Sequence, residues 1–274
     1  MSLTPGAAVL WTFLVPGLAH LRLGRGGRAA LAFLSTGILF WLGYSMLSWG
    51  EGHSVRLWHF ALFQPFALLQ PVLGIAPLQL LPESANLGNS IVASLLRPGE
   101  VAGMDPNTVP RLMRGPSEWG HIASFLTAAS GMVAIFWAAD AHWLAGGRKV
   151  SGPSPSRVAF LSWLLPGLGH WQAGQRDKGL VMGGAVILVF AIGLLCSMGH
   201  AVDRGLQPVW WVGQVLFGGG ALFAGVFTAP LQFTSFPQFF DLGLVLCTAA
   251  GLLNLVVMID AYTVAERGVQ EMPA

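Results

Sequence analysis

The sequence predicts an all-α polytopic membrane protein made of two parallel internal repeats. Each repeat holds two clear transmembrane helices plus two shorter or broken hydrophobic segments, which gives between 4 and 8 crossings. Three observations carry this reading. Only 9% of the 274 residues are charged and 54% are hydrophobic, with a mean hydropathy of +0.64; soluble domains are roughly a quarter charged. Several apolar runs approach the roughly 20 residues that cross a hydrocarbon core. The chain also matches itself at a displacement of about half its length.

The first run, 6–21, is short and broken by Pro16. No Lys or Arg precedes Arg22, so the run lacks the basic start of a signal peptide and is expected to stay in the mature protein. A basic turn of Arg22, Arg25 and Arg28 leads into the clear span 29–49. Run 57–81 carries Pro65, Pro71 and Pro77 beside Gln64, Gln70 and Gln79. Such breaks need neighbouring protein to satisfy the freed backbone groups. A polar insertion over 82–118 follows, then the clear span 122–145 and a Gly/Ser/Pro linker over 146–157. Run 158–171 repeats the short, broken form with Pro166. Spans 180–198 and 242–260 are clear, and 209–229 carries Gly218-Gly219-Gly220 in its middle. The organisation is therefore a first repeat at 1–145, the linker, a second repeat at 158–264 and a tail at 265–274.

Charge orients the chain. Loops 22–28, 146–157 and 175–178 hold eight of the fourteen Lys and Arg, and the positive-inside rule puts them in the cytoplasm. The net −1 of 50–119 suits the outer side. Run 57–81 then dips in from outside or lies at the interface, and run 158–171 enters and leaves on the cytoplasmic side; the alternative, with every run crossing, gives eight helices and an external linker. The location read from this is a bacterial cytoplasmic (inner) membrane, multi-pass.

The repeat is explicit at a displacement of 150. Leu14-Val15-Pro16-Gly17-Leu18-Ala19-His20 faces Leu164-Leu165-Pro166-Gly167-Leu168-Gly169-His170, then Gly24 faces Gly174 and Arg28 faces Lys178. Residues 76–79 match 229–232 with a three-residue slip. The copies close on Asp140-Ala141-His142 and Asp260-Ala261-Tyr262, now 120 apart. That 30-residue change places the insertion at 82–119.

Proline removes a backbone donor and glycine relieves the strain beside it. Each run therefore bends near its Pro-Gly, with His20 or His170 following. One reading is a tight helical joint whose histidine bonds a backbone carbonyl; the other is a ligand or proton-handling histidine. Asp140 and Asp260 sit at helix carboxyl ends, where the macrodipole disfavours them, so each needs a compensating partner. Arg28 and Lys178 are the first candidates and the two histidines the next. An interfacial clamp is the favoured role, with a proton relay or cation site as the alternative.

Small residues at spacing four allow close helix approach: Ala221, Gly225 and Ala229; Gly243, Cys247 and Gly251; Ser130, Ala134 and Ala138. Trp49, Trp119, Trp143 and Trp171 fall at run ends, where aromatic belts belong. The two cysteines write no disulfide framework, and the seven histidines show no helical metal spacing. No Walker loop, HExxH or GxSxG is present, and no basic surplus exists to bind nucleic acid.

At Pro-Gly-Leu-(Ala/Gly)-His-x-x-x-Gly-x-x-x-(Arg/Lys) with a closing Asp-Ala-(His/Tyr), the chain resembles two related groups. One is the two-transmembrane domain family, whose members join two helices through a glycine- and histidine-containing turn and end on an aspartate. The other comprises bacterial membrane proteins of unknown function bearing PGLGH or PGLGQ followed by KG. The second copy keeps Gly169, Lys178 and Gly179; the first has Ala19, Arg28 and Ala29. The resemblance implies the architecture and no activity.

The function expected is a membrane scaffold or accessory subunit of a larger complex, without catalysis, whose partners are the bilayer and other membrane subunits. The alternatives are a transporter or channel with a path between the repeats, and a haem or pigment subunit ligated through His20 and His170. No cofactor is otherwise expected, and no metal.

Overall fold

Thr4 and Pro5 start the first helix. The Thr4 side chain accepts from Ala7 N–H at 3.3 Å, and proline at the first helical position loses no bond there. The chain is described by a computed structural model over residues 3–46, 81–89, 92, 118–147, 153–203, 207–228 and 237–270. Among these residues the structure is helical, with no strand. It divides into two units, Met1–Gly146 and Gly147–Ala274.

In the first unit α1 (Pro5–Leu14) ends at the Pro16-Gly17 turn and α2 (Leu18–Arg22) follows. Gly17 has φ +89°, a left-handed conformation in which a side chain is strained, and a Cβ there would overlap the Ala29 carbonyl. The run 6–21 is thus a helix, a tight turn and one more helical turn. α3 (Gly26–Met46) packs along α5 (Glu118–Ala145), which also receives α1 and the short α4 (Leu81–Ser84). Gly43 marks the α3–α5 crossing, where a Cβ would come 2.8 Å from Ala123 O.

The second unit begins on a similar cap, Ser154 accepting from Arg157 N–H at 3.4 Å, with Pro155 at the first position. α6 (Pro155–Leu164), the Pro166-Gly167 turn, α7 (Leu168–Gln172) and α8 (Arg176–Cys196) follow. Gly167 has φ +84°, and its Cβ would overlap Gly179 O. A 3₁₀ turn (His200–Val202), α9 (Pro208–Gln214), a second 3₁₀ turn (Val215–Phe217) and α10 (Gly219–Thr228) lead to α11 (Phe240–Gln270). α11 packs on α6, α8 and α9. The run 209–229 breaks at Gly218, whose φ is +107° and whose Cβ would overlap Trp163 O.

Among the described residues, three helices are long and apolar enough to cross a membrane: Gly26–Met46, Arg176–Cys196 and Phe240–Arg267. Their surfaces fit that role, with Leu31, Phe33, Leu188, Leu195, Val256 and Ile259 all exposed.

Two expectations meet a different arrangement. Pro82–Asn89, read as the start of an outer polar insertion, packs inside the first unit, with Pro82, Glu83, Ala85 and Asn86 buried. Trp143, read as a belt residue, is buried at 2% exposure. The segment 57–80 and residues 93–117 lie outside the described residues, as do the loop residues Arg148 and Lys149.

Candidate functional site

The Pro-Gly turns place a histidine in each unit's interior. In the first unit, His20 O accepts from Arg25 N–H at 2.8 Å, closing the turn between α2 and α3. The His20 ring is fully buried, edge-on to Trp137 at 5.3 Å. Trp137 is itself fixed by donating Nε1–H to Ser35 Oγ at 3.1 Å. His20 Nε2 lies 3.1 Å from Asp140 Oδ2, and Arg28 donates to both oxygens of that carboxylate at 3.0 and 2.8 Å.

The second unit assembles the same three groups. His170 O accepts from Gln175 N–H at 2.8 Å. His170 Nε2 meets Asp260 Oδ2 at 2.6 Å, and Lys178 Nζ meets the same oxygen at 2.5 Å. The structure thus brings His20, Arg28 and Asp140 together, and His170, Lys178 and Asp260 together. The imidazoles face carboxylates and not backbone carbonyls. Pro16, Gly17, Pro166 and Gly167 make the turns; Gly24 and Gly174, at φ +71° and +82°, end the short helices in open space.

The expected helix-end position does not hold, since α5 runs on past Asp140 to Ala145 and α11 past Asp260 to Gln270; the cation beside each carboxylate offsets its charge. The second ring nitrogen, Nδ1 of His20 and of His170, makes no hydrogen bond among the described residues. A haem or pigment ligand would have to use these buried atoms, because Nε2 is engaged. No group of three or more His, Cys, Asp or Glu suited to a metal ion occurs among the described residues.

The packing residues divide. Gly243 and Gly251 let α11 approach its own unit: a Cβ at Gly243 would meet Ser197 Cβ at 2.6 Å and Gly193 O at 2.7 Å, and one at Gly251 would overlap Gly213 O. Ala221 is buried, Gly225 lies 3.3 Å from Val202 O by the same test, and Ala229 falls outside the described residues. Of the other histidines, His200 begins the 3₁₀ turn beyond α8. Burial pushes its imidazole below the usual histidine range, against the opposing pull of Asp203.

Each unit also contains a polar interior that the sequence does not announce. In the first, Thr127 donates to Glu83 Oε1 at 3.2 Å. Asn86 Nδ2 reaches Ser130 Oγ at 3.3 Å and Thr36 O at 3.5 Å, and Trp41 donates to Asn89 Oδ1 at 3.0 Å. In the second, Gln214 donates to Ala201 O at 2.8 Å, Trp163 to Val215 O at 3.0 Å, and Asn254 to carbonyls of α6 and the second 3₁₀ turn. Glu83, Asn86, Gln214 and Asn254 are all fully buried. Glu83 reads in sequence as one more outer charge. Gly88, whose Cβ would overlap Leu14 O, and Gly218 are the sequence signals nearest to these interiors.

The fold and these contacts define a helical protein with helices long and apolar enough to cross a membrane and with ionic helix clamps. Residues 157–271 match the model of a family of unknown function (DUF6677). No curated protein and no solved structure matches the chain.

Proposed function

We propose that the chain is a duplicated membrane scaffold, an accessory subunit of a larger assembly in a bacterial cytoplasmic membrane, with no catalysis of its own. The observation that carries this is the pair of clamps. In each unit the residues best suited to chemistry are committed to one three-way contact that ties the last long helix to the first turn.

The duplication draws support from matching elements. α1, α2 and α3 contain 10, 5 and 21 residues, as do α6, α7 and α8. Close approaches also correspond: Gly131 on α5 meets Pro82 and Glu83, while Gly251 on α11 meets Gly213 and Gln214. That register pairs Glu83 with Gln214, so the displacement falls from 150 to 131 before residue 83 and to 120 only by α5. Most of the extra length in the first repeat then precedes residue 82, and the match of 76–79 with 229–232 is set aside.

Purification from native membranes in mild detergent tests the scaffold reading. A defined complex of fixed stoichiometry is the expected result. A monomer of 29.1 kDa without partners, from membranes in which the chain is at its natural level, would overturn it.

A further inference from the structure

We propose that the interior of the second unit holds a monovalent cation, bound by the main-chain carbonyls of Ser162, Leu216 and Phe217 and by the carboxamide of Asn254. The three carbonyl oxygens converge on one atom, Asn254 Nδ2, at 3.2, 3.0 and 3.0 Å. They come from two helix ends. Ser162 lies in the last turn of α6, and Leu216 and Phe217 close the 3₁₀ turn that stops at Gly218. Carbonyls at a helix carboxyl end lack intrahelical donors and carry the negative pole of the helix dipole. Two such ends aimed at one point create a focus of negative potential. Asn254 stands about 21 Å along α11 from Phe240, at 1.5 Å per residue, near the middle of the span Phe240–Arg267.

The carboxamide fills this point incompletely. Its two hydrogens face three acceptors. Asn254 Oδ1 and the Ser162 hydroxyl make no hydrogen bond among the described residues, although both residues are 0% exposed. A half-turn of the carboxamide places Oδ1 where Nδ2 now sits. Four oxygens would then face each other, and a cation among them relieves their mutual repulsion. The site accordingly has two states, nitrogen inward when empty and oxygen inward when loaded. Its ligands are neutral oxygens, the donor set that replaces the hydration shell of sodium or potassium; calcium sites recruit carboxylates. In the register proposed above, Ala134 takes the place of Asn254 on α5, so the described part of the first unit does not repeat this carboxamide.

The test is the melting temperature of the purified full chain in sodium, potassium and choline chlorides at equal ionic strength. Saturable stabilisation by sodium or potassium over choline is expected, because a ligand that binds only the folded state raises its stability. Asn254→Leu should abolish that difference. Asn254→Asp should lower the half-saturating concentration about tenfold, since added ligand charge tightens cation sites. Identical melting of the unsubstituted protein in all three salts overturns the proposal, as does an unchanged cation response in N254L. If N254L does not accumulate, an unchanged half-saturating concentration in N254D overturns it equally. None of these outcomes depends on whether the chain is a scaffold.

Discussion

Asp140 and Asp260 have the same kinds of neighbours but differ in their access to water. The Asp140 side chain is 7% exposed and meets fully buried His20 and an Arg28 that is 36% exposed, whereas Asp260 and Lys178 are 36% and 41% exposed. Water screens an exposed pair to about 1 kcal/mol or less, and a carboxylate shielded from water loses more when its contacts are broken. Asp140→Asn should therefore lower the melting temperature of the purified protein clearly more than Asp260→Asn does. Equal effects would show that both clamps are equally solvated. The residue types of the clamp could be read from the sequence because Pro-Gly, His and Asp recur at fixed spacing. Its inequality could not, because exposure depends on what α5 and α11 each pack against.

At the scale of elements, glycine decides which helices touch. Gly251 on α11 abuts the α9 backbone at Gly213, while Gly184 on α8 has nothing within 4 Å of its Cβ position. Overpacking a tight contact costs about 1–3 kcal/mol, and more where backbone must move. Gly251→Val should destabilise the protein by at least that amount in thermal unfolding, and Gly184→Val should not. Periodicity identified Gly251 as a packing position but not its partner. The broken segments were legible as breaks, since Pro16, Pro166 and Gly218 each interrupt an apolar run. Their destination was not. Residues 82–89 look polar in isolation, yet Glu83 and Asn86 are buried because Thr127, Ser130 and Thr36 supply hydrogen-bond partners from distant helices.

For the whole molecule, the proposal of two parallel repeats makes a prediction about sidedness. Gly26 and Gln175 are exposed and open equivalent turns in the two halves. In a background with Cys196 and Cys247 replaced by alanine, Gly26→Cys and Gln175→Cys should both react with an impermeant maleimide from the cytoplasmic face only. Reaction from opposite faces would make the repeats inverted and refute the orientation inferred from charge.

Helical content, long apolar segments and the components of the clamp were legible along the chain. Those depend on hydropathy, on charge position and on short motifs, which are local properties of the chain. Helix packing put Glu83 and Asn86 inside, buried Trp143 and brought three carbonyls together at Asn254. Each of these joins residues tens of positions apart. The reason is that a buried polar group is tolerated only where partners meet it, and those partners come together only when the helices pack.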